Sequence, residues 1–205
     1  MKVLDWLADM LGLPAHFKFT ESTHGGGVIH GTASEATLVA LLVARSRALA
    51  KLKAASAELG AQMEVNNNNE PEVPADSRLS SIDRLVGYCS DLAHSSVERA
   101  GLLGGVCVKA VPSDDDCQLR GDALRRQILD DMAQGYVPFF VLATLGTTSV
   151  CTFDNLHEIG IVCREFDIWL HVDAAYAGNS FICPENRHFM RGIEVSSLVV
   201  FASVI

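Results

Sequence analysis

Four short stretches of this 205-residue chain carry residue types able to hold a ligand, and each follows an apolar run. The first is Gly31-Thr32-Ala33-Ser34, after Val28-Ile29 and at the start of a helical pattern. Small residues there let an anion such as phosphate reach free backbone N–H groups and the positive end of the helix. A capped helix with a glycine turn is the plainer alternative. The second is Cys89-Ser90-Asp91-Leu92-Ala93-His94-Ser95-Ser96, where the His94 imidazole stands at a strand-to-helix corner and could stack on an aromatic ligand or simply act as a polar cap. The third, Gly146-Thr147-Thr148-Ser149, offers hydroxyls at a turn. The fourth is Trp169-Leu170-His171-Val172-Asp173-Ala174-Ala175-Tyr176. A carboxylate leaving so apolar a strand pays a desolvation cost unless it meets a cation or hydrogen-bond donors, so Asp173 needs a defined partner. A pyridinium nitrogen is one such partner and a structural salt bridge is the other. His171 reads as a core histidine held by hydrogen bonds.

The elements that position these residues follow from hydrophobic patterning. Apolar runs at 85–89, 106–111, 139–145 and 168–172 read as buried strands, and they alternate with helical stretches at 96–103, 121–134 and 156–166. A further helix is predicted from Glu35 to about Leu52, with Thr32 or Ser34 as its cap. Strand–helix alternation with helix-length connections implies an α/β fold with a mostly parallel sheet flanked by helices. Ligands of such sheets lie beyond the carboxyl ends of the strands, where the four stretches fall. Near the start, Leu4, Leu7 and Leu11 share one helical face. The segment from about 61 to 81 contains Asn66-Asn67-Asn68-Asn69-Glu70-Pro71 and reads as an exposed insertion.

Composition narrows the class. The chain is 49% hydrophobic with a net charge of -9, and its lysines and arginines form no basic stripe, so no nucleic acid partner is expected. Asp5 and Asp9 interrupt the apolar start, and no run is long enough to span a membrane. The six cysteines (Cys89, Cys107, Cys117, Cys151, Cys163, Cys183) lack zinc-type spacing and read as reduced, mostly buried thiols of a cytoplasmic protein, with no metal expected.

Taken together, residues 25–37, 93–101, 143–148 and 169–178, followed by Phe181-Ile182-Cys183-Pro184-Glu185, resemble the pyridoxal-phosphate decarboxylases that act on dihydroxyphenylalanine, 5-hydroxytryptophan, histidine and tyrosine. Within that group, His94-Ser95-Ser96-Val97-Glu98-Arg99-Ala100-Gly101 and Gly31-Thr32-Ala33-Ser34-Glu35 look most like the aromatic-L-amino-acid decarboxylases. The resemblance implies a partial large domain of the aspartate-aminotransferase-like type (fold type I) over residues 1–205. It also implies pyridoxal 5'-phosphate as cofactor, an amino acid substrate and a homodimer. By position, Asp173 resembles the carboxylate that pairs with the protonated ring nitrogen and His94 the imidazole stacked over the ring. Ala175 matches the small residue on the other face. Thr32, Ala33 and Ser34 match the phosphate-side turn and Thr148 a hydroxyl near the polar edge of the ring.

Departures from the family pattern shape the expectation. His30 and Leu92 stand where the family usually shows glutamine, and the N-terminal arm, the Schiff-base lysine segment and the C-terminal small domain are expected to be absent. The five lysines are Lys2, Lys18, Lys51, Lys53 and Lys109, and Ile205 falls where the Schiff-base lysine would be. Two readings follow: a piece of an aromatic amino acid decarboxylase that is inactive alone, or a non-catalytic paralogue serving as a binding or dimerisation partner.

Overall fold

The computed structural model describes residues 2–20, 23–63, 81–195 and 198–200. Its helices are α1 (Lys2–Leu11), α2 (Ala33–Met63), α3 (Ser96–Gly104), α4 (Gly121–Ala133) and α5 (Leu156–Glu165). Two short strands, β1 (Phe19–Thr20) and β2 (Thr23–His24), form an antiparallel pair. The main sheet contains β3 (Leu85–Ser90), β4 (Cys107–Val111), β5 (Val137–Thr144), β6 (Trp169–Asp173) and β7 (Leu198–Val200). Its order is β4-β3-β5-β6-β7, with every pairing parallel.

Both faces of this sheet are buried, which is why its central strands read as unbroken apolar runs. Side chains alternate between two cores: Val86, Tyr88, Val141, Ala143, Leu170 and Val172 face α4 and α5, packing with Leu124, Ile128, Ile159 and Val162. Leu85, Cys89, Phe140 and Leu142 face the other way, onto Ala40, Leu41 and Ala44 of α2 and Val97 and Ala100 of α3. The chain runs from β3 outward to edge strand β4, then crosses back to place β5 on the other side of β3. That reversal opens a crevice beyond the carboxyl ends of β3 and β5.

The α4 face is tied to the sheet by a buried carboxylate. Asp131 accepts from the Tyr88 hydroxyl at 3.0 Å, the Lys109 ammonium at 2.6 Å and the Gln127 amide at 3.2 Å. Burial alone would raise this carboxyl, but the three donors together hold it below the usual carboxylate range.

Three sequence expectations need correction. Helix α2 does not stop near Leu52 but runs to Met63, because Lys53, Ala54, Ala55, Ala57, Glu58 and Leu59 are good helix formers and an exposed helix needs no apolar stripe to continue. Of the expected insertion at about 61–81, residues 61–63 end α2 and residues 64–80 lie outside the described residues. All six cysteines are free, but only Cys89 and Cys163 are buried; Cys107, Cys151 and Cys183 are exposed, Cys107 because it opens the edge strand. His171 is fully buried, yet neither ring nitrogen has a hydrogen-bond partner among the described residues. It stacks on Phe140 with ring centroids 5.9 Å apart.

Burial pushes the His171 imidazole down from 6.5 to about 4. Between those values the unfolded chain takes a proton that the folded chain refuses. Stability present above pH 6.5 is therefore lost on acidification toward pH 4, with a slope of up to about 1.4 kcal/mol per pH unit. His171→Phe keeps the ring stack and removes the titration. Denaturant melts from pH 7 to pH 4 should show a shallower acid loss for this variant than for the parent, and parallel curves would refute the assignment.

Candidate active site

Three strand ends and one helix start converge on a cavity of about 290 Å³ beyond the carboxyl edge of the sheet. Its lining includes Ala33 and Ser34 from α2, His94 and Ser96 after β3, Thr144, Gly146 and Thr148 from the end of β5, and Asp173, Ala175 and Tyr176 after β6. Of the residues singled out in the sequence, Ala33, Ser34, His94, Thr148, Asp173 and Ala175 lie together here, while Thr32 does not line the cavity.

Thr32 acts instead as the cap of α2. Its hydroxyl accepts from the Glu35 N–H at 3.1 Å, and the Glu35 carboxylate reaches back to the Gly31 N–H at 3.0 Å. This is a capping box built from Thr32-Ala33-Ser34-Glu35, and it uses the amides on either side of Ala33 and Ser34. The N–H groups of these two first-turn residues have no intrahelical acceptor and remain available at the cavity wall.

His94 is oriented by its own corner. Its Nδ1 accepts from the Ser96 N–H at 3.2 Å and lies 2.9 Å from the Ser96 hydroxyl, which puts the ring proton on Nε2. Across the cavity the turn after β5 is stitched to itself: Gly146 and Thr147 N–H groups both donate to the Thr152 carbonyl at 3.0 Å, and the two threonine hydroxyls of Thr147 and Thr152 meet at 2.8 Å. Thr147 is thereby consumed in the turn, leaving Thr148 exposed on the cavity.

A residue that sequence reasoning missed anchors this turn. The buried Asp154 accepts from the Thr144 N–H at 2.7 Å and the Leu119 N–H at 2.8 Å, fixing the end of β5 against the segment leading into α4. Burial pushes its carboxyl up to about 6, although both backbone donors pull the other way. In the sequence it is one acid among many, and only the fold reveals its depth.

Asp173 is also buried, at 8% exposure, and its Oδ1 accepts from the Ala175 N–H at 2.9 Å, a turn made within its own loop. Burial raises its carboxyl above the usual range, against the opposing pull of that N–H and of His94. Three buried carboxylates are thus found among the described residues, Asp131, Asp154 and Asp173. The first two are saturated by protein donors. Asp173 alone of the three lines this cavity, and a single N–H donor to its carboxylate is found among the described residues.

A family model covers nearly the whole chain. Residues 1–203 match the pyridoxal-dependent decarboxylase conserved domain. The chain belongs to the pyridoxal-dependent decarboxylase family. It is 53% identical over 192 residues to an aromatic-L-amino-acid decarboxylase from Sus scrofa, spanning 94% of this chain and 36% of that relative. A histidine decarboxylase from Drosophila melanogaster is 50% identical over 97% of this chain and 22% of its own length. Among solved structures, Oryza sativa TDC with PLP and tryptamine superposes with a TM-score of 0.83 at 35% identity, covering 98% of this chain and 37% of that one. The chain therefore spans about a third of the length of the aromatic-L-amino-acid decarboxylase it matches, and its sheet is that of fold type I. The cofactor of the family is pyridoxal phosphate, and the cavity fits it: free helix-start amides suit the phosphate, and an under-used buried carboxylate suits a ring nitrogen that carries a proton.

The wall between the β5 and β6 turns depends on Gly146. Its φ of +87° disfavours any side chain, and a Cβ there would sit 2.7 Å from Cβ of Ala177 and 3.2 Å from the Tyr176 ring. Gly146→Ala should cost more than about 2 kcal/mol in chemical denaturation, with only part recovered by adding Ala177→Gly, since the backbone strain persists. A variant as stable as the parent would show that the two turns are not in contact.

Proposed function

We propose that this chain is the cofactor-binding portion of an aromatic-L-amino-acid decarboxylase whose full-length form removes the carboxyl group of a substrate of the dihydroxyphenylalanine or 5-hydroxytryptophan type. The observation that carries the reading is Asp173: a buried carboxylate with one donor from its own turn, facing the cavity at the end of β6. Bound there, pyridoxal phosphate supplies a cationic ring that accepts the electron pair released as carbon dioxide departs. Asp173 would hold the proton on the ring nitrogen, His94 would stack on the ring and Ala175 would pack against it. Ala33 and Ser34 receive the phosphate, with Thr32 holding their turn in place, and Thr148 offers a hydroxyl at the polar edge. The homology to aromatic-L-amino-acid decarboxylases supports an aromatic substrate, and the histidine decarboxylase at 50% identity keeps histidine as the alternative, with tyrosine beside it.

None of Lys2, Lys18, Lys51, Lys53 and Lys109 lines the cavity, so this chain by itself has no lysine to hold the cofactor covalently and is proposed not to decarboxylate. A cytoplasmic homodimer is proposed for the full-length protein; the six free thiols are consistent with a reducing compartment, and exposed Val150, Tyr176 and Ile182 offer apolar surface, Tyr176 at the cavity itself.

An absorbance titration with pyridoxal phosphate, followed by borohydride reduction and peptide mapping, tests this. The parent chain should bind saturably but weakly, with no single lysine labelled stoichiometrically. Asp173→Asn should abolish the binding. Because its raised carboxyl is disfavoured in the folded state as pH rises, the same variant should leave the melting temperature of the ligand-free chain unchanged or higher at pH 7. Undiminished binding by Asp173→Asn would overturn the reading, and release of carbon dioxide from dihydroxyphenylalanine by the purified chain would overturn its proposed inactivity alone.

A further inference from the structure

Thr144, which lines the cavity, carries a hydroxyl without a hydrogen-bond partner among the described residues. Thr144 is the last residue of β5 and is only 5% exposed, yet its Oγ1 makes no hydrogen bond among the described residues. A buried hydroxyl stripped of water and left unpaired costs roughly 1–3 kcal/mol, so such a group calls for an explanation. The usual escape for a strand-end threonine is a bond to its own turn. Here that route is closed, because the turn's donors and acceptors are taken by Thr147 and Thr152. The backbone of Thr144 is equally committed: its N–H donates to Asp154 and its carbonyl accepts from the Asp154 N–H at 3.0 Å. The residue is therefore clamped in place with only its side chain uncommitted.

Thr144 lines the cavity, and its register neighbour is Asp173. The two residues pair directly across the parallel β5–β6 ladder, and both line the same space. Two buried polar groups with spare hydrogen-bonding capacity therefore stand side by side, one an acceptor and the other able to donate or accept. Thr148, four residues beyond Thr144, is by contrast exposed, so the two threonines address different depths of the cavity.

We propose that the Thr144 hydroxyl is a ligand-binding group of this cavity, hydrogen-bonding the polar edge of the heteroaromatic ring that Asp173 holds. The inference rests on the pyridoxal phosphate reading above and adds a residue to it. The hydroxyl gains a partner when the ring binds, so a group left unpaired among the described residues contributes to affinity.

Two variants of the full chain separate this from a structural role. Thr144→Val keeps the shape and removes the hydroxyl, while Thr144→Ser keeps the hydroxyl. Without ligand, Thr144→Val should melt at the parent temperature or above, because it removes an unsatisfied group. In a pyridoxal phosphate titration followed by absorbance, it should bind roughly ten-fold more weakly than the parent with a displaced visible band, and Thr144→Ser should restore both. A Val variant that binds and absorbs like the parent would overturn the inference while leaving the Asp173 reading intact, and so would one that melts lower without ligand and binds normally. A parent chain that binds no pyridoxal phosphate would overturn both.

Discussion

Burial of the parallel sheet on both faces is the constraint from which the rest of this molecule follows. A strand covered by helices on each side can carry polar side chains along its length only at high cost, so residues such as Val141, Leu142, Leu170 and Val172 are apolar whichever way they point. Polar function is displaced to the carboxyl edge, where the strands end and the helices have yet to begin. The crossing from β4 back over β3 to β5 then opens that edge at one place, and His94, Thr144, Thr148 and Asp173 stand around it because each ends, or lies just beyond, a strand that borders the opening.

A cavity at such an edge is only as well defined as the turns that bound it, and these turns are fixed by groups that never touch it. Asp154 holds the end of β5 by both the N–H and the carbonyl of Thr144, and it holds Leu119 through its other oxygen. Gly146 lets the β5 turn press against Ala177 and Tyr176. The capping box of Thr32 and Glu35 fixes the first turn of α2 without occupying the amides of Ala33 and Ser34. Rigid surroundings of this kind set side chains in place before a ligand arrives, which lowers the ordering cost of binding.

How much of this was legible in the sequence depends on whether the signal is local. The strands at Leu85, Val137 and Trp169 declared themselves as apolar runs, and Asp173 was conspicuous because a carboxylate interrupts one. The α/β class and the site at the strand ends followed from that pattern. The family resemblance supplied roles for particular residues. What stayed hidden depends on register and depth. Asp154 looks like any loop acid until two backbone N–H groups are seen to converge on it, and Thr144 looks like any strand threonine until its neighbour across the ladder proves to be Asp173. The length of α2 was underestimated because an exposed, alanine-rich helix has propensity but no apolar stripe to mark its end. The exposed Cys107 and Cys151 were misplaced because a thiol in an apolar run looks alike at a sheet edge and at its centre.

The three buried carboxylates show why one acid among them is chemically available. Each must offset the loss of water around a charge, and each does so differently. Asp131 recruits an ammonium, a phenol and an amide, and its carboxyl falls below the ordinary range. Asp154 recruits two backbone donors, one on each oxygen, and burial still raises its carboxyl to about 6. Asp173 recruits a single N–H from its own turn, with His94 nearby as the only other favourable influence. A fold selected for stability alone would have completed that shell or replaced the carboxylate with an apolar side chain. An incomplete shell beside an unpaired hydroxyl, opening on a cavity with free helix-start amides, trades ligand-free stability for affinity toward a molecule that is cationic at one end and anionic at the other.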